Sequence, residues 1–252
     1  MRKTHLRVLS YNIHKGFSVG NAAYILDHLR KALRKIDPDI VCLQEVLGEH
    51  TGHRRRIPEW PIASQFEYLA DSIWPHHAYG KNSVYQHGHH GNAILSKFPV
   101  TEWDNIDISQ NRLERRGILH AVIAMPRQSL PLHVLSLHLD LLERTRKPQL
   151  LKICNRIGTH VPDEHPLIIG GDFNDWRGRA TSIMEQGIGA SEAFQSAHGA
   201  HARSFPARYP LLKLDRFYFR GLELQKASVL KGDPWNALSD HLPLLCEFLL
   251  TP

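Results

Sequence analysis

Leu167-Ile168-Ile169, framed by Pro166 and by the pair Gly170-Gly171, constrains this chain more than any other stretch. A short apolar run bounded by proline and glycine predicts a buried strand. The strand opens directly onto Asp172-Phe173-Asn174. Residues 172 and 174 are two apart, so in extended backbone their side chains point to the same side. An acid and an amide delivered together into a glycine-opened space suit the holding of a water molecule and a charged oxygen.

Comparable apolar runs predict strands over Leu6–Ile13, Asp39–Glu45, Ala93–Ser96, Ile118–Met125, Leu132–Leu139, Lys213–Phe219, Leu222–Leu230 and Leu242–Leu250. Amphipathic spacing predicts helices through Ile25, Leu26, Leu29, Leu33 and Ile36, over Ser64–Trp74, and through Leu150, Cys154, Ile157 and Val161. Asp37-Pro38 ends the first helix, and Gly48–Pro58 is expected to be a polar loop. Strands outnumber helices and the two are interspersed, which argues for sheets packed on each other with helices outside. No repeat, low-complexity tract or long linker interrupts the 252 residues, so a single domain over 1–252 is expected.

Hydrophobic residues make up 42% of the chain and charged residues 22%, the composition of a soluble globular enzyme. Lys and Arg exceed Asp and Glu by 31 to 25, a net +6 that favours anionic partners. Cys42, Cys154 and Cys246 are far apart and odd in number, and each sits in an apolar run. They are expected to be small buried hydrophobes rather than a disulfide or zinc framework. The N-terminal segment lacks a signal-peptide pattern and no apolar stretch reaches membrane-spanning length, so a soluble, cytoplasmic protein is expected.

Polar residues gather at the ends of the predicted strands: Asn12 and His14, Gln44 and Glu45, Asn92, His138, Asp172 and Asn174, Asp215, and Asp240-His241. Loops held by a rigid sheet scaffold are where active sites are commonly built. The chain contains no Walker loop, dinucleotide-binding glycine fingerprint, His-Glu-x-x-His pair or Gly-x-Ser-x-Gly elbow. What remains fits metal-assisted attack of water on a phosphoester, with Glu45 and either Asn12 or Asp240 as oxygen ligands for a hard divalent cation.

Seven short motifs then occur in order. They are Ser-Tyr-Asn-Ile-His at 10–14, Leu-Gln-Glu at 43–45, Gly-Asn-Ala-Ile-Leu-Ser at 91–96, Ser-Leu-His-Leu at 136–139, Gly-Gly-Asp-Phe-Asn at 170–174, Leu-Asp-Arg at 214–216 and Ser-Asp-His at 239–241. Together they resemble the endonuclease/exonuclease/phosphatase superfamily. The resemblance implies a DNase I-like four-layer α/β sandwich, two packed mixed sheets flanked by helices. It implies Mg²⁺, with Mn²⁺ as a substitute, held by Glu45 with Asn12 beside it and Asp240 in the first or second coordination sphere. Asp172 would deprotonate the attacking water, and Asn174 and a cationic His241 would meet the phosphoryl oxygens. Asp215 would orient His241, and His138 would contact phosphate or the leaving oxygen. Asn92, Arg116 (or its neighbour Arg115) and Trp176 are candidate substrate contacts. The pattern typical of abasic-site endonucleases is absent at His138.

The expected activity is a nuclease acting on DNA or RNA, supported by the basic charge, Arg54-Arg55-Arg56 and His138. The alternative is a sphingomyelinase-like hydrolase of phospholipid headgroups or of small phosphodiesters and phosphomonoesters. A non-catalytic anion-binding protein is a third class, and it would need a missing catalytic residue. The histidines at 87, 89 and 90 match no closed tetrahedral metal site. No apolar hairpin stands out near the motifs. A monomer is expected, with peripheral membrane contact left open.

Overall fold

The computed structural model describes residues 4–111 and 114–250. Its strands are β1 Thr4–Asn12, β2 Ile40–His50, β3 His76–Tyr85, β4 Gly88–Ser96, β5 Val100–Asp107, β6 Gly117–Ile123, β7 Leu132–His138, β8 Leu167–Asp172, β9 Ser191–Glu192, β10 Asp215–Arg220, β11 Glu223–Val229 and β12 Leu244–Leu250. The helices are α1 Leu26–Ile36, α2 Thr51–Arg56, α3 Gln65–Ala70, α4 Glu143–His160, α5 Arg179–Ile188, α6 Ala193–His198 and α7 Trp235–Leu238.

Two six-stranded sheets run in the orders β11-β12-β1-β2-β4-β3 and β5-β6-β7-β8-β10-β9. Each is built around one parallel pair, β1 with β2 and β7 with β8, flanked by antiparallel neighbours. A parallel pair needs a crossover, and α1 and α4 supply one to each sheet. Alternation along the strands then builds the layers. In β1, Leu6 and Val8 enter the core between the sheets, while Leu9 and Tyr11 face the outer cluster that packs with Leu29 and Leu33 of α1. In β8, Ile168 enters the same central core and Ile169 faces Ile153 and Ile157 of α4. Both faces of these strands are covered, which is why they appear as unbroken apolar runs. The result is a four-layer sandwich: helices, sheet, sheet, helices.

The structure departs from the sequence expectations where edges and local geometry decide. β3 and β5 lack an apolar signature because they are the outer strands of their sheets, and β5 is exposed or half-buried along its length. β2 does not stop at Glu45. It bulges there, with Glu45 at φ 55, and continues to His50. The expected loop at 48–58 therefore holds the end of β2 and the short helix α2. The helix expected over 64–74 is α3, whose N-cap Ser64 forms a capping box with Glu67. Cys42 and Cys246 are buried as expected, whereas Cys154 is only half-buried, and all three are free. The second sheet also carries a chain of imidazoles, with His120 Nε2 2.9 Å from His133 Nδ1 and His133 Nε2 3.0 Å from His165 Nδ1.

The glycine pair does not open a space; it closes one. A Cβ at Gly170 would lie 3.1 Å from Ser10 Cβ of the facing sheet, and a Cβ at Gly171 would lie 2.1 Å from the backbone oxygen of Leu137 in β7. Backbone cannot yield as a flexible side chain can, so Gly171→Ala is expected to destabilise the fold by about 2–3 kcal/mol. A urea midpoint equal to that of the unsubstituted protein would contradict this account of the glycine.

Candidate active site

The register of the strands sets the site. His138 at the end of β7 lies beside Asp172 at the end of β8, and Asp172 lies opposite Asp215 at the start of β10. Across the sandwich, β1 ends at Asn12, which pairs with Gln44, one residue before the bulge that turns out Glu45. The two rows meet where Asn12 Nδ2 donates to Asp172 Oδ2 (3.1 Å) and to Glu45 Oε1 (3.4 Å). Ser239 Oγ donates to the Asn12 carbonyl (2.8 Å), fixing the segment that carries Asp240 and His241 against the end of β1.

Asp172 is the hub. Its Oδ1 accepts the Asn174 backbone N–H at 2.9 Å, and its Oδ2 faces His138 Nε2 at 3.4 Å and His241 Nε2 at 3.6 Å. His241 Nδ1 lies 2.9 Å from Asp215 Oδ2, which also accepts from Ser204 Oγ. The expectation that 172 and 174 share one side through continued extension fails. The strand ends at Asp172, and Asn174 adopts a left-handed φ of 50. That turn folds Asn174 back, so its Nδ2 donates to Leu139 O at 2.9 Å and lies 3.3 Å from His138 Nε2. The amide reaches the site through a turn instead of along a strand.

Burial and neighbouring charge tune these groups in opposite directions. Burial pushes Asp172 up, the charge of His241 pulls it back and that of Asp215 raises it, leaving it at about 6 against the usual 3.8. Burial alone would depress His241, but the carboxylates of Asp215 and Asp172 outweigh it and raise the group to about 10. His138 is held well below 6.5 by burial and then by the charge of Arg116, so its ring is neutral. His241 is thus a cation at neutral pH beside a carboxylate of raised pKa.

These side chains line a cleft of about 490 Å³ together with Glu45, Glu114, Arg116 and an apolar group that includes Leu141, Trp176, Phe205 and Leu212. Arg116, not Arg115, faces it: Arg116 Nε is 3.3 Å from buried Asp140 Oδ1, while Arg115 pairs with Asp107 at the surface. Trp176 is 39% exposed on the rim, with the Arg146 guanidinium 4.9 Å over its ring. Asn92 is placed apart from the cleft lining. Its amide donates to the Gly117 and Ser136 carbonyls (3.0 and 3.3 Å), so it ties the two sheets together and does not line the cleft. Asp240 also stands outside the lining, with Oδ1 3.9 Å from His14 Nδ1 and 3.3 Å from Ser239 Oγ. Sequence patterns gave no warning of Ser204 or Glu114, because both lie in segments without periodicity.

The donor set fits a hard divalent cation. Glu45 is a partly exposed carboxylate with Asn12 and Asp172 around it, and the Lys15 ammonium already rests 3.8 Å from its Oε2. Ligand atoms of Asp172, Asp215 and His241 also lie within 4.8 Å of one another. A protonated imidazole has no lone pair for a metal, so that trio is better suited to proton handling.

A family model described as Endonuclease/Exonuclease/phosphatase family matches residues 9–241. The chain belongs to this family. As a member it is a phosphoesterase in the general sense, and divalent-metal dependence is typical of the group. It is 43% identical over 244 residues to the uncharacterized protein YbhP of Escherichia coli strain K12, spanning 97% of this chain and 96% of that protein. The crystal structure of an endonuclease/exonuclease/phosphatase from Beutenbergia cavernae superposes with a TM-score of 0.82 at 19% identity, covering 99% of this chain and 72% of the other. D. rerio TDP2 complexed with a single-strand DNA product gives 0.70 at 20% identity, covering 97% and 99%. The DNase I-like sandwich is therefore the fold of this chain.

Proposed function

We propose that this protein is a Mg²⁺-dependent phosphodiesterase that hydrolyses its substrate by in-line attack of water. The observation that carries this reading is Asp172, a buried carboxylate raised to about 6 and ringed by Asn12, His138 and His241 at the cleft floor. Such a group is ionised at neutral pH yet basic enough to take a proton from water. Glu45 and Asn12 would hold Mg²⁺, with Asp240 in support, and the ion would supply positive charge to the phosphoryl oxygens.

The remaining chemistry belongs to the side chains. Asp172 orients the water and accepts its proton. His241 presents Nε2–H to a phosphoryl oxygen while Asp215 holds the opposite ring nitrogen. Asn174 and neutral His138 border the phosphate, and Arg116 and Trp176 meet the groups attached to it.

Nucleic acid, DNA or RNA, is the substrate class that net charge favours. Support comes from the wall that follows Glu45. Arg54, Arg55 and Arg56 lie on α2, beside a ladder of rings in which Tyr24–Trp60, Trp60–His53 and His53–His50 centroids are 4.8, 5.1 and 3.7 Å apart. A second reading, a phospholipid headgroup or small phosphodiester bearing an apolar group, is favoured by Leu141, Trp176, Phe205 and Leu212 in the cleft. We read the protein as a single-domain monomer, and its free thiols support a cytoplasmic location.

Bis-p-nitrophenyl phosphate, single- and double-stranded DNA, RNA, sphingomyelin and phosphatidylinositides, each with Mg²⁺, Mn²⁺ or EDTA, test the proposal. Metal-dependent hydrolysis abolished by EDTA is expected, with nucleic acid cleaved faster than lipid. Hydrolysis that persists in EDTA, or hydrolysis of no substrate, would overturn the reading. Faster cleavage of a lipid would select the second substrate class.

A further inference from the structure

Leu141, Trp176, Phe205 and Leu212 reach the cleft from three separate segments, and those of Leu141 and of Phe205–Leu212 continue outward with uncovered apolar surface. Phe205 and Leu212 form an antiparallel bridge closed by Ser204 N–H to Leu212 O (3.0 Å) and Leu212 N–H to Phe205 O (2.8 Å). The small hairpin so made exposes Tyr209 by 76%, Leu211 by 68% and Leu212 by 42%. Across the cleft mouth Leu141 and Leu142 are 51% and 52% exposed. Six of the twelve exposed large hydrophobics among the described residues thus belong to segments that meet at one opening. The expectation that no apolar hairpin stands near the site is corrected here. Arg203-Ser-Phe-Pro-Ala-Arg208 hides the pattern because its apolar residues alternate in neither period.

This surface is held in shape by buried contacts. Ala207, 1% exposed, donates its N–H to the Asp240 carbonyl (2.7 Å), and buried Ser204 bonds Asp215. Its charge is predominantly positive. Residues 203–213 contain Arg203, Arg208 and Lys213 and no acid, and residues 141–148 add exposed Arg144 and Lys147 and buried Arg146 against a single acid, Glu143. Glu143 is already paired with Arg177 and Arg179. None of those first five cations makes an ion pair among the described residues. Exposed aliphatic side chains with a tyrosine beside them, flanked by basic residues, match the interface of a bilayer whose headgroups are negative. A second copy of the same surface would meet like charge.

We propose that the rim formed by Tyr209, Leu211 and Leu142 docks the protein on an anionic lipid bilayer, with the cleft mouth facing the membrane. Docking is a binding property and stands apart from the hydrolysis reading, because it is measured without turnover. Its consequence for the second substrate reading, a phospholipid headgroup, is that a phosphoester in the bilayer would be presented to Asp172.

Sedimentation with sucrose-loaded vesicles tests this, comparing phosphatidylcholine alone with phosphatidylcholine containing phosphatidylglycerol. Binding to the anionic vesicles is expected, falling at least about 10-fold in the Tyr209→Ser/Leu211→Ser variant, since both anchors leave the acyl boundary. Binding is also expected to weaken with added salt and in Arg208→Gln. That second variant keeps the test open if the first fails to fold, and thermal unfolding identifies such a failure. Absence of binding to anionic vesicles would overturn the proposal. So would binding unaffected by both variants, or a dimer that the apolar substitutions dissociate while vesicles stay unbound. Loss of phosphodiester hydrolysis with vesicle binding intact would instead count against the enzymatic reading alone.

Discussion

Asp172→Asn is expected to lower turnover of bis-p-nitrophenyl phosphate by at least about 10²-fold, and His241→Ala by a similar factor. The asparagine keeps the shape and one oxygen for the Asn12 amide, but it has no basic pair of electrons for the proton of water. It also removes one of the carboxylates that keep His241 protonated. His241→Ala removes the cation and leaves Asp215 buried with only Ser204 as a partner. Because the two groups are 3.6 Å apart and set each other's protonation, they should behave as one unit. The double variant is therefore expected to lose little beyond the worse single one. Steady-state rates at saturating metal decide this. Turnover within about 3-fold of the unsubstituted enzyme in either single variant, or fully multiplicative losses, would remove Asp172 and His241 from the roles given to them.

The fold itself is expected to be acid-sensitive, losing several kcal/mol between pH 7 and pH 5. Burial holds His120 at about 3 and His133 at about 4, and His138 well below 6.5. The sign follows from linkage. Above 6.5 these rings are neutral in both states and contribute no slope. Below 6.5 the unfolded chain takes up protons that the folded chain refuses, so stability falls as pH falls towards the depressed values. At pH 5 His120 and His133 each cost about 2 kcal/mol, the energy of the 1.5-unit gap from the unfolded pKa. His120 and His133 are hydrogen-bonded to each other away from the active site, so His120→Asn/His133→Asn should flatten the profile and spare the site. Urea unfolding at a series of pH values measures it. A flat profile for the unsubstituted protein, or an unchanged slope in the double variant, would show that these rings accept protons in the folded state.

How much of this was legible in the sequence depends on what each residue needs in order to be recognised. The central strands were legible because both their faces are covered, which leaves uninterrupted runs such as Leu167-Ile168-Ile169. β3 and β5 were not, because an edge strand carries little apolar signal. The residues that gather at the site, Asn12, Glu45, His138, Asp172, Asn174, Asp215 and His241, lie inside short ordered motifs, at or near strand ends except for Glu45, which sits at the bulge within β2. Asn92 lies in such a motif too, yet it works between the sheets. A motif records that a residue type is required and is silent on whether the requirement is chemical or architectural. Ser204 and the hairpin around it depend on contacts between distant segments, which no local pattern encodes.

Asn12 and Asp172 are bonded across 160 residues of chain, and Ser239 reaches back to Asn12 across 227. During synthesis this order has a plain effect. A ribosome that has released Glu45, His138, Asp172 and Asp215 has made the base and much of its surroundings, but not the cation at His241. Nor has it made β12, the strand that covers the flank of β1. On the proposed mechanism the growing polypeptide is expected to be chemically silent until His241 has emerged, and a fragment cut short before residue 239 is expected not to hydrolyse bis-p-nitrophenyl phosphate.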